Sequence, residues 1–279
     1  EKLLCYFAAE LASGGLAPQT IKCYLSGVRS MQISLGLPPP RDQSSLPILK
    51  RVHDGIRRSR ATHPGGHPKK TRLPITATVL RNIRGPLSCR TGQDSAAFWT
   101  IAVVAFFGFF RLGELLIENG TVYEPTLHLS WGDVSANSHT CPSMIKVHLK
   151  KSKCDQFGAG ADVLLGQSSC QLCPVTAMLA YINIRGSTPG YFFSDSQHKP
   201  ITKARFITAF REALKEAEYP NDQYAGHSFR NGAATAAASA GLEDSMIQTL
   251  GRWQSAAFLR YIRTPHDDLA AVTAKLART

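Results

Sequence analysis

The chain has 279 residues, of which 43% are hydrophobic and 9% aromatic, so it can bury a sizeable core in one large or two ordinary domains. Its 32 Lys and Arg residues outnumber 20 Asp and Glu residues, which gives a net charge of +12. This composition excludes a chain that lacks a folded core, and the charge favours a polyanionic partner, most often nucleic acid. An anionic membrane surface is the second interpretation, and a soluble protein that is merely basic is the third.

The excess charge is concentrated in the N-terminal quarter. Residues 1–73 contain 12 Lys and Arg against four Asp and Glu, a net charge of +8, whereas residues 74–279 contain 20 against 16, a net charge of +4. We therefore expect the N-terminal region to make phosphate contacts that do not depend on sequence.

Residues 1–60 predict a helical domain. Pro18 fits the first turn of a helix, and Gly36 with the following prolines ends it. A second, basic helix begins near residue 46. Their apolar faces would carry Ile21, Leu25, Val28 and Leu35, and Leu46, Leu49, Val52 and Ile56. The Pro-, Gly- and His-rich segment that follows has no apolar periodicity, so it predicts a linker at residues 61–73.

Residues 74–279 predict a second domain, mainly α-helical with a small antiparallel β-sheet. Its uncharged segment 96–110 is about 15 residues long, shorter than the roughly 20 that span a bilayer, so it predicts a buried helix. Short β-rich runs at 127–131, 144–149 and 162–166 predict strands. Helical patterns follow, and the last of them are interrupted at Gly241 and Gly251.

The seven cysteines are an odd number in a chain that needs no disulfides to fold, which predicts free thiols in a reducing compartment. Cys170 and Cys173 form one C-x-x-C pair, but no second pair completes a zinc site, so no metal or other cofactor is expected.

Four separated elements offer cationic or proton-donating side chains. These are Arg111 after the buried helix, the lysines after residue 149, His227 with Arg230, and Tyr261. Each has a simple structural alternative: a helix-end cap, a solvated hairpin tip, a pair on one helix face, and a core phenol.

Taken together, the motifs FFRLGELL, KKSK, HSFR and LGRW followed by RYIR resemble the tyrosine recombinases, in the order that this family keeps. The helix TIKCYLSGVRSM is similar to one in the family's core-binding domain. Phrases such as PTLHLSWGDVS and GHSFRNGAAT look most like recombinases of eukaryotic mobile elements, the DIRS-type retroelements and Cryptons. The resemblance covers most of the chain.

The resemblance implies a DNA-cutting and -rejoining enzyme that needs neither metal nor ATP. Tyr261 would be the nucleophile, Arg111 and Arg230 would clamp the phosphate, and His227 would support proton transfer. A hairpin lysine would protonate the leaving oxygen; Lys153 matches best, and Lys150 and Lys151 remain open. Glu114 would orient the site.

The sixth catalytic position departs from the family pattern. Family members carry His or Trp nine residues before the tyrosine, a position that Arg252 occupies here, with Trp253 one residue later. The GRW context favours Trp253, whose indole N–H can donate to a phosphate oxygen. Arg252 remains the alternative.

The resemblance further implies double-stranded DNA as partner, mobile-element integration in the nucleus, and a tetramer on two DNA sites that exchanges a C-terminal helix at about 267–279. A type IB topoisomerase-like activity and a domesticated DNA-binding protein that keeps the fold are the alternatives. The residues expected to contact DNA are Lys22, Arg29, Lys50, Arg51, Arg57, Arg58, Lys150, Lys151 and Arg252.

Overall fold

The computed structural model describes residues 1–38, 46–62, 72–88, 93–151 and 158–262. Contacts between residues divide the chain into two compact units, Glu1–Lys70 and Thr71–Thr279, each with its own hydrophobic core. Most of the predicted linker and the whole of the predicted C-terminal helix at 267–279 lie outside the described residues.

The first unit is helical. It consists of α1 (Lys2–Ser13), α2 (Pro18–Ser34) and α3 (Pro47–Thr62). Ile21 and Leu25 lie in its small core as predicted, but Leu35 is 65% exposed because α2 ends one residue earlier. Arg60 donates to the carbonyl of Leu16 at 2.7 Å and so ties the end of α3 to the turn between α1 and α2.

Seven helices belong to the described part of the second unit. They are α4 (Ala77–Ser88), α5 (Gln93–Phe107), α6 (Leu112–Leu115), α7 (Pro174–Arg185), α8 (Lys203–Glu216), α9 (His227–Ser239) and α10 (Asp244–Gly251). Ten consecutive residues of α5, from Ala97 to Phe106, are buried, which explains their uncharged sequence, because a helix segment surrounded by other elements has no polar face. Within the described residues, no helix combines the length and apolar character that crossing a membrane requires.

The sheet is antiparallel, with the order β1 (Val134–Ala136), β2 (Met144–Leu149) and β3 (Ala161–Gly166). The second and third predicted strands are present, and Val147 pairs with Val163. No strand of the sheet forms at the predicted 127–131, where Ser130 makes only an isolated antiparallel bridge with Tyr191. Ser130 and Asp133 cap each other across a short 3₁₀-helix, Trp131–Asp133, and this capping box favours a helical turn, so the strand begins only afterwards.

The alanine-rich helix α9 packs unusually closely against the chain that precedes α4. A Cβ atom on Gly232 would lie 1.8 Å from the carbonyl oxygen of Ile75, so only glycine fits at this position. Ala233, Ala234 and Ala237 are also buried. The small residues therefore let α9 sit deep in the unit, and the mainly α fold with a small antiparallel sheet is as predicted.

Candidate active site

The first arginine motif lies in a tight turn between α5 and α6. Phe109 adopts a left-handed backbone conformation with φ of 52°, which reverses the chain after α5. Arg111 is the N-cap of α6, and its backbone N–H donates to Glu114 Oε2 at 2.9 Å while its guanidinium donates to Glu114 Oε1 at 2.8 Å. The R-x-x-E spacing therefore allows two hydrogen bonds between Arg111 and Glu114 that fix the start of α6.

Arg230 is the most deeply buried charged residue near this turn, with 1% of its surface exposed. It projects from α9 and donates to the carbonyl of Phe109 at 2.8 Å and to the carbonyl of Gly251. Burial, reinforced by the neighbouring cation of Arg111, lowers the pKa of Arg230 to about 10. The side chain thus remains a cation at neutral pH, with the charge of Glu114 partly offsetting the effect of burial.

Arg252 joins the same turn from the end of α10. Its guanidinium donates to Gly108 O at 3.0 Å and to Glu114 Oε2 at 3.1 Å. Burial lowers the pKa of Arg252, while the charge of Glu114 opposes that shift. Glu114 is therefore shared between Arg111 and Arg252.

Trp253 and Tyr261 complete the cluster on one side of Arg230. The guanidinium carbon of Arg230 lies 4.3 Å from the centre of the Trp253 ring, and the Trp253 and Tyr261 ring centres are 5.6 Å apart. Tyr261 follows the 3₁₀-helix Ala256–Arg260, and its carbonyl accepts a hydrogen bond from Thr235 of α9 at 3.2 Å. The phenol is only partly buried, so it remains accessible.

His227 is the first residue of α9, three residues before Arg230, and it is exposed. The preceding Gly226 packs against Leu112, so closely that an added Cβ would lie 3.1 Å from the leucine side chain. Because Leu112 directly follows Arg111, this contact brings the start of α9 next to the first arginine motif.

The hairpin lysines differ from one another. Lys150 is half-buried and donates to His128 O at 3.1 Å, to Ser130 Oγ at 2.9 Å and to the carboxylate of Asp133. Lys151 is exposed. Lys153 lies outside the described residues. Since Lys150 is anchored at the base of the β2–β3 loop, it is poorly placed to move toward a substrate, and its assignment as a DNA contact stays a prediction.

Among the described residues of this site, arginine cations outnumber carboxylates. Three arginines, Arg111, Arg230 and Arg252, surround the single carboxylate of Glu114. At this site, three buried N–H groups have no hydrogen-bond partner among the residues that the structure describes: Arg230 Nε, Arg252 Nε and Trp253 Nε1. Buried donors are rarely left unsatisfied, so this cluster is suited to an anion that carries several acceptor oxygens.

In the first unit, the predicted DNA contacts share one exposed face of α3. Lys50 and Arg51 lie about two turns from Arg57 and Arg58, and all four are exposed. On α2, Lys22 is exposed and Arg29 is partly buried. Arg57 also pairs with Asp54 at 3.7 Å, a weak surface ion pair that leaves its charge accessible.

Sequence reasoning missed two contributors to the site. The carbonyl of Phe109 accepts from both Arg230 and Arg252, at 2.8 and 3.4 Å. Asp133 holds Lys150. No side-chain pattern could signal the first, because it is a backbone atom in a turn; the S-x-x-D spacing at Ser130 could have signalled the second as a capping carboxylate.

The cysteine pair lies away from this cluster, at the start of α7. Cys173 is the N-cap of α7, and its sulfur accepts from the backbone N–H of Ser168 at 3.2 Å and of Thr176 at 3.4 Å. Burial works against ionisation of Cys173, but these hydrogen bonds outweigh it and lower the pKa to about 7. In the described parts of the chain, no group of three or more His, Cys, Asp or Glu side chains is arranged to hold a metal ion.

Several solved structures resemble the chain at low sequence identity. The Tn1549 transposon integrase in complex with transposon right-end DNA aligns with a TM-score of 0.59 and 13% identity, over 98% of this chain and 84% of the integrase chain. The XerA recombinase aligns with a TM-score of 0.54 and 15% identity, over 98% and 97%.

A third resemblance is partial. The XerH site-specific recombinase bound to palindromic difH substrate aligns with a TM-score of 0.53 and 11% identity, over 72% of this chain and 52% of XerH, so the chain spans about half of that relative. No protein-family model and no curated protein sequence matches the chain. The shared architecture, helices around a small antiparallel sheet, shows that the chain has the fold of the tyrosine recombinases.

Proposed function

We propose that the chain is a site-specific DNA recombinase or integrase that cuts and rejoins DNA through a 3′-phosphotyrosyl intermediate. One observation carries this proposal: three separate segments of the chain bring Arg111, Arg230, and Trp253 with Tyr261 together, and buried N–H groups of this cluster have no partner among the described residues. A phosphodiester supplies the missing acceptor oxygens and also the electrophile that a tyrosine can attack.

The arginines have the role of stabilising charge on the phosphate. Attack on a phosphodiester builds negative charge on the two non-bridging oxygens, and guanidinium groups match that geometry. Because Arg230 is held by two backbone carbonyls, it is pre-organised and needs no rearrangement during the reaction. Its burial strengthens the attraction to an anion, since little water competes.

In the proposed step, the Tyr261 oxygen attacks phosphorus and loses its proton, with His227 as the group that accepts or relays it. The bond between phosphorus and the 5′ oxygen breaks, and that oxygen takes a proton from a lysine of the β2–β3 loop. Lys150 is engaged with Asp133, which favours Lys151 or Lys153 as this acid. Reversal of the same step with a different 5′ hydroxyl rejoins the strand without ATP.

Trp253 would serve this chemistry in two ways. Its ring lies against both Arg230 and Tyr261, so it restricts the motion of the cation and of the nucleophile. Its indole N–H has no partner among the described residues and is available to a phosphate oxygen.

Double-stranded DNA is the proposed substrate. The exposed basic face of α3 supports it, because cations spaced along one helix face can neutralise successive phosphates. Binding should therefore weaken steeply with salt. A tetramer on two DNA sites, integration of a mobile element and a nuclear location belong to the same proposal, and they rest on the sequence resemblance.

The decisive experiment traps the covalent intermediate. A nicked duplex that carries the terminal sequence of the encoding element is incubated with the protein, and denaturing gels reveal any protein–DNA adduct. We expect an adduct with the wild type and none with Tyr261→Phe, because the variant lacks the attacking oxygen. Tyr219→Phe is the matched control: it removes the hydroxyl that Asn82 contacts at 2.8 Å, away from the site, and should leave the adduct unchanged.

The outcomes separate the alternatives. Intact DNA binding without an adduct on cognate DNA would contradict the enzyme proposal and favour a DNA-binding protein that keeps the fold. An adduct together with relaxation of supercoiled DNA, but without joining of two sites, would favour a type IB topoisomerase-like activity. Four-way junctions formed from two labelled duplexes would support recombination.

A further inference from the structure

Arg252 occupies a backbone position where glycine is normally favoured. It follows the last residue of α10 in the left-handed conformation, with φ of 55° and ψ of 43°, and its N–H donates to Thr249 O at 3.0 Å. A side chain in this conformation costs about 1 kcal/mol, and helices commonly end on glycine there. The arginine must therefore contribute something that glycine cannot.

The guanidinium of Arg252 points into the protein rather than toward solvent. Only 16% of the side chain is exposed, and its Cζ lies 5.0 Å from the centre of the Phe110 ring. One terminal nitrogen donates to Gly108 O at 3.0 Å, and the other donates to Phe109 O at 3.4 Å and to Glu114 Oε2 at 3.1 Å. Both terminal nitrogens are thus engaged by protein atoms, as those of Arg230 are, but Arg252 differs in that one of its partners is the carboxylate of Glu114.

Glu114 has a different partner on each side. Arg111 holds Oε1 with its guanidinium at 2.8 Å, while Arg252 approaches Oε2, which also accepts the backbone N–H of Arg111. The carboxylate is 5% exposed, so water does not replace a missing partner. If Arg252 were removed, the uncompensated charge of Glu114 would attract the Arg111 guanidinium more strongly and compete with a phosphate for it.

From this arrangement we propose that Arg252 is a positioning residue, which acts through Glu114 to keep Arg111 oriented for phosphate. The inference rests on the proposed function for its catalytic consequence, but the contact itself does not. The proposal gives separate roles to the two residues that are candidates for the sixth catalytic position: Arg252 orients Arg111, and Trp253 lies against Arg230 and Tyr261. The strained backbone at Arg252 is what directs the two side chains to different partners.

A spectroscopic test needs no DNA. In the full-length chain with ¹⁵N-labelled arginine, the guanidinium signals of Arg111 are assigned by their loss in Arg111→Lys. We expect Arg252→Gln to shift the Arg111 signals and change the rate of rotation about its Cζ–Nε bond. Arg205→Gln is the matched control, since Arg205 pairs with Asp94 and Asp195 at a distant surface site. Unchanged Arg111 signals in a folded Arg252→Gln protein would overturn the proposal.

A kinetic cycle tests the consequence for cleavage. A charge-assisted hydrogen bond is typically worth enough to change a rate about 10- to 100-fold, so Arg252→Gln should slow single-turnover adduct formation by that factor while DNA affinity changes less than about twofold. Arg252→Lys keeps the charge and should recover part of the loss. In a Glu114→Gln background, the same Arg252→Gln change should have less than about a twofold effect.

The two experiments fail in distinguishable ways. Independent, multiplicative losses in the cycle, or weaker DNA binding with an unchanged cleavage rate, would contradict positioning through Glu114. If the wild type forms no adduct at all, the proposed function fails, and the arginine spectra still decide whether Arg252 orients Arg111. Thermal unfolding of each variant shows whether a loss of cleavage comes only from misfolding. If Arg252→Gln does not fold, Arg252→Lys is used for the same test.

Discussion

Two regions of the second unit each contain a buried arginine that lies against a tryptophan. Arg185 is 4% exposed with its guanidinium 4.8 Å from the Trp131 ring centre, and Arg230 is 1% exposed at 4.3 Å from Trp253. In sequence, both are arginines on apolar helices. The two differ in what surrounds the cation.

Every nitrogen of Arg185 has a carbonyl partner. Nε donates to Phe192 O at 2.8 Å, Nη1 to the carbonyls of Gly186 and Thr188 at 3.0 and 2.8 Å, and Nη2 to Tyr191 O at 2.8 Å. By contrast, Arg230 has two carbonyl partners, an Nε without a partner in the described part of the chain, and the cations of Arg111 and Arg252 as neighbours. A saturated buried arginine stabilises a fold, whereas an unsaturated one beside other cations is suited to bind an anion.

The sharpest test of this contrast makes the same substitution in both regions. Lysine keeps the charge but lacks the planar fork of donors. Arg230→Lys should slow adduct formation by about 100- to 1,000-fold, the usual effect of losing one transition-state donor. Arg185→Lys should instead lower the free energy of unfolding by about 3 kcal/mol, because several buried carbonyls lose their partner.

Chemical denaturation and single-turnover cleavage, both at a temperature where each variant is folded, give the two readouts. The adduct rate of folded Arg185→Lys should stay within about threefold of the wild type, since the carbonyls and the Trp131 ring that Arg185 contacts lie outside the cluster of Arg111, Arg230 and Tyr261. Equal loss of cleavage in both variants would break the comparison.

A smaller effect is expected from a simple anion. Inorganic phosphate that binds the Arg230 region but not the unfolded chain should raise the free energy of unfolding by about 1 to 2 kcal/mol at concentrations well above its dissociation constant. Arg185→Lys should keep this increment, and Arg230→Lys should lose it. Denaturation curves with and without phosphate at constant ionic strength measure it; equal increments in both variants would indicate a general salt effect.

The smallest expected effect is a change in stability with pH at the N-terminus of α7, the helix that Cys173 caps. Because hydrogen bonds lower the pKa of Cys173 to about 7 from its ordinary value of 9.0, the folded state releases this proton at lower pH than the unfolded state. The resulting stabilisation is fully present above pH 9 and is lost as pH falls through 7, a change on the order of 1 kcal/mol. In Cys173→Ser, which retains a capping oxygen, this part of the pH dependence should disappear; an unchanged slope between pH 7 and 9 would contradict the assignment.

Much of the fold could be predicted because its signals are local. The uncharged run that forms α5, the Pro18 start of α2 and the glycine interruptions near α10 follow from periodicity and backbone preference. The strand predicted at 127–131 failed for local reasons too, since Leu127 and His128 close a turn onto Glu124 and Asp133 caps the turn that begins at Trp131. The tertiary structure shows a second role for this carboxylate, which accepts a hydrogen bond from the ammonium group of Lys150.

The sequence by itself determined the residue types of the site and their order, because the chemistry of a phosphate clamp requires arginines, a proton carrier and a nucleophile. It could not decide between Arg252 and Trp253, which are adjacent in the chain. The tertiary structure directs them apart, Arg252 to Glu114 and Trp253 to Arg230 and Tyr261. The sequence also could not show that Arg185 and Arg230 differ in how fully their donors are satisfied. That difference depends on how many carbonyls surround each guanidinium, and these are backbone atoms placed by contacts between distant segments.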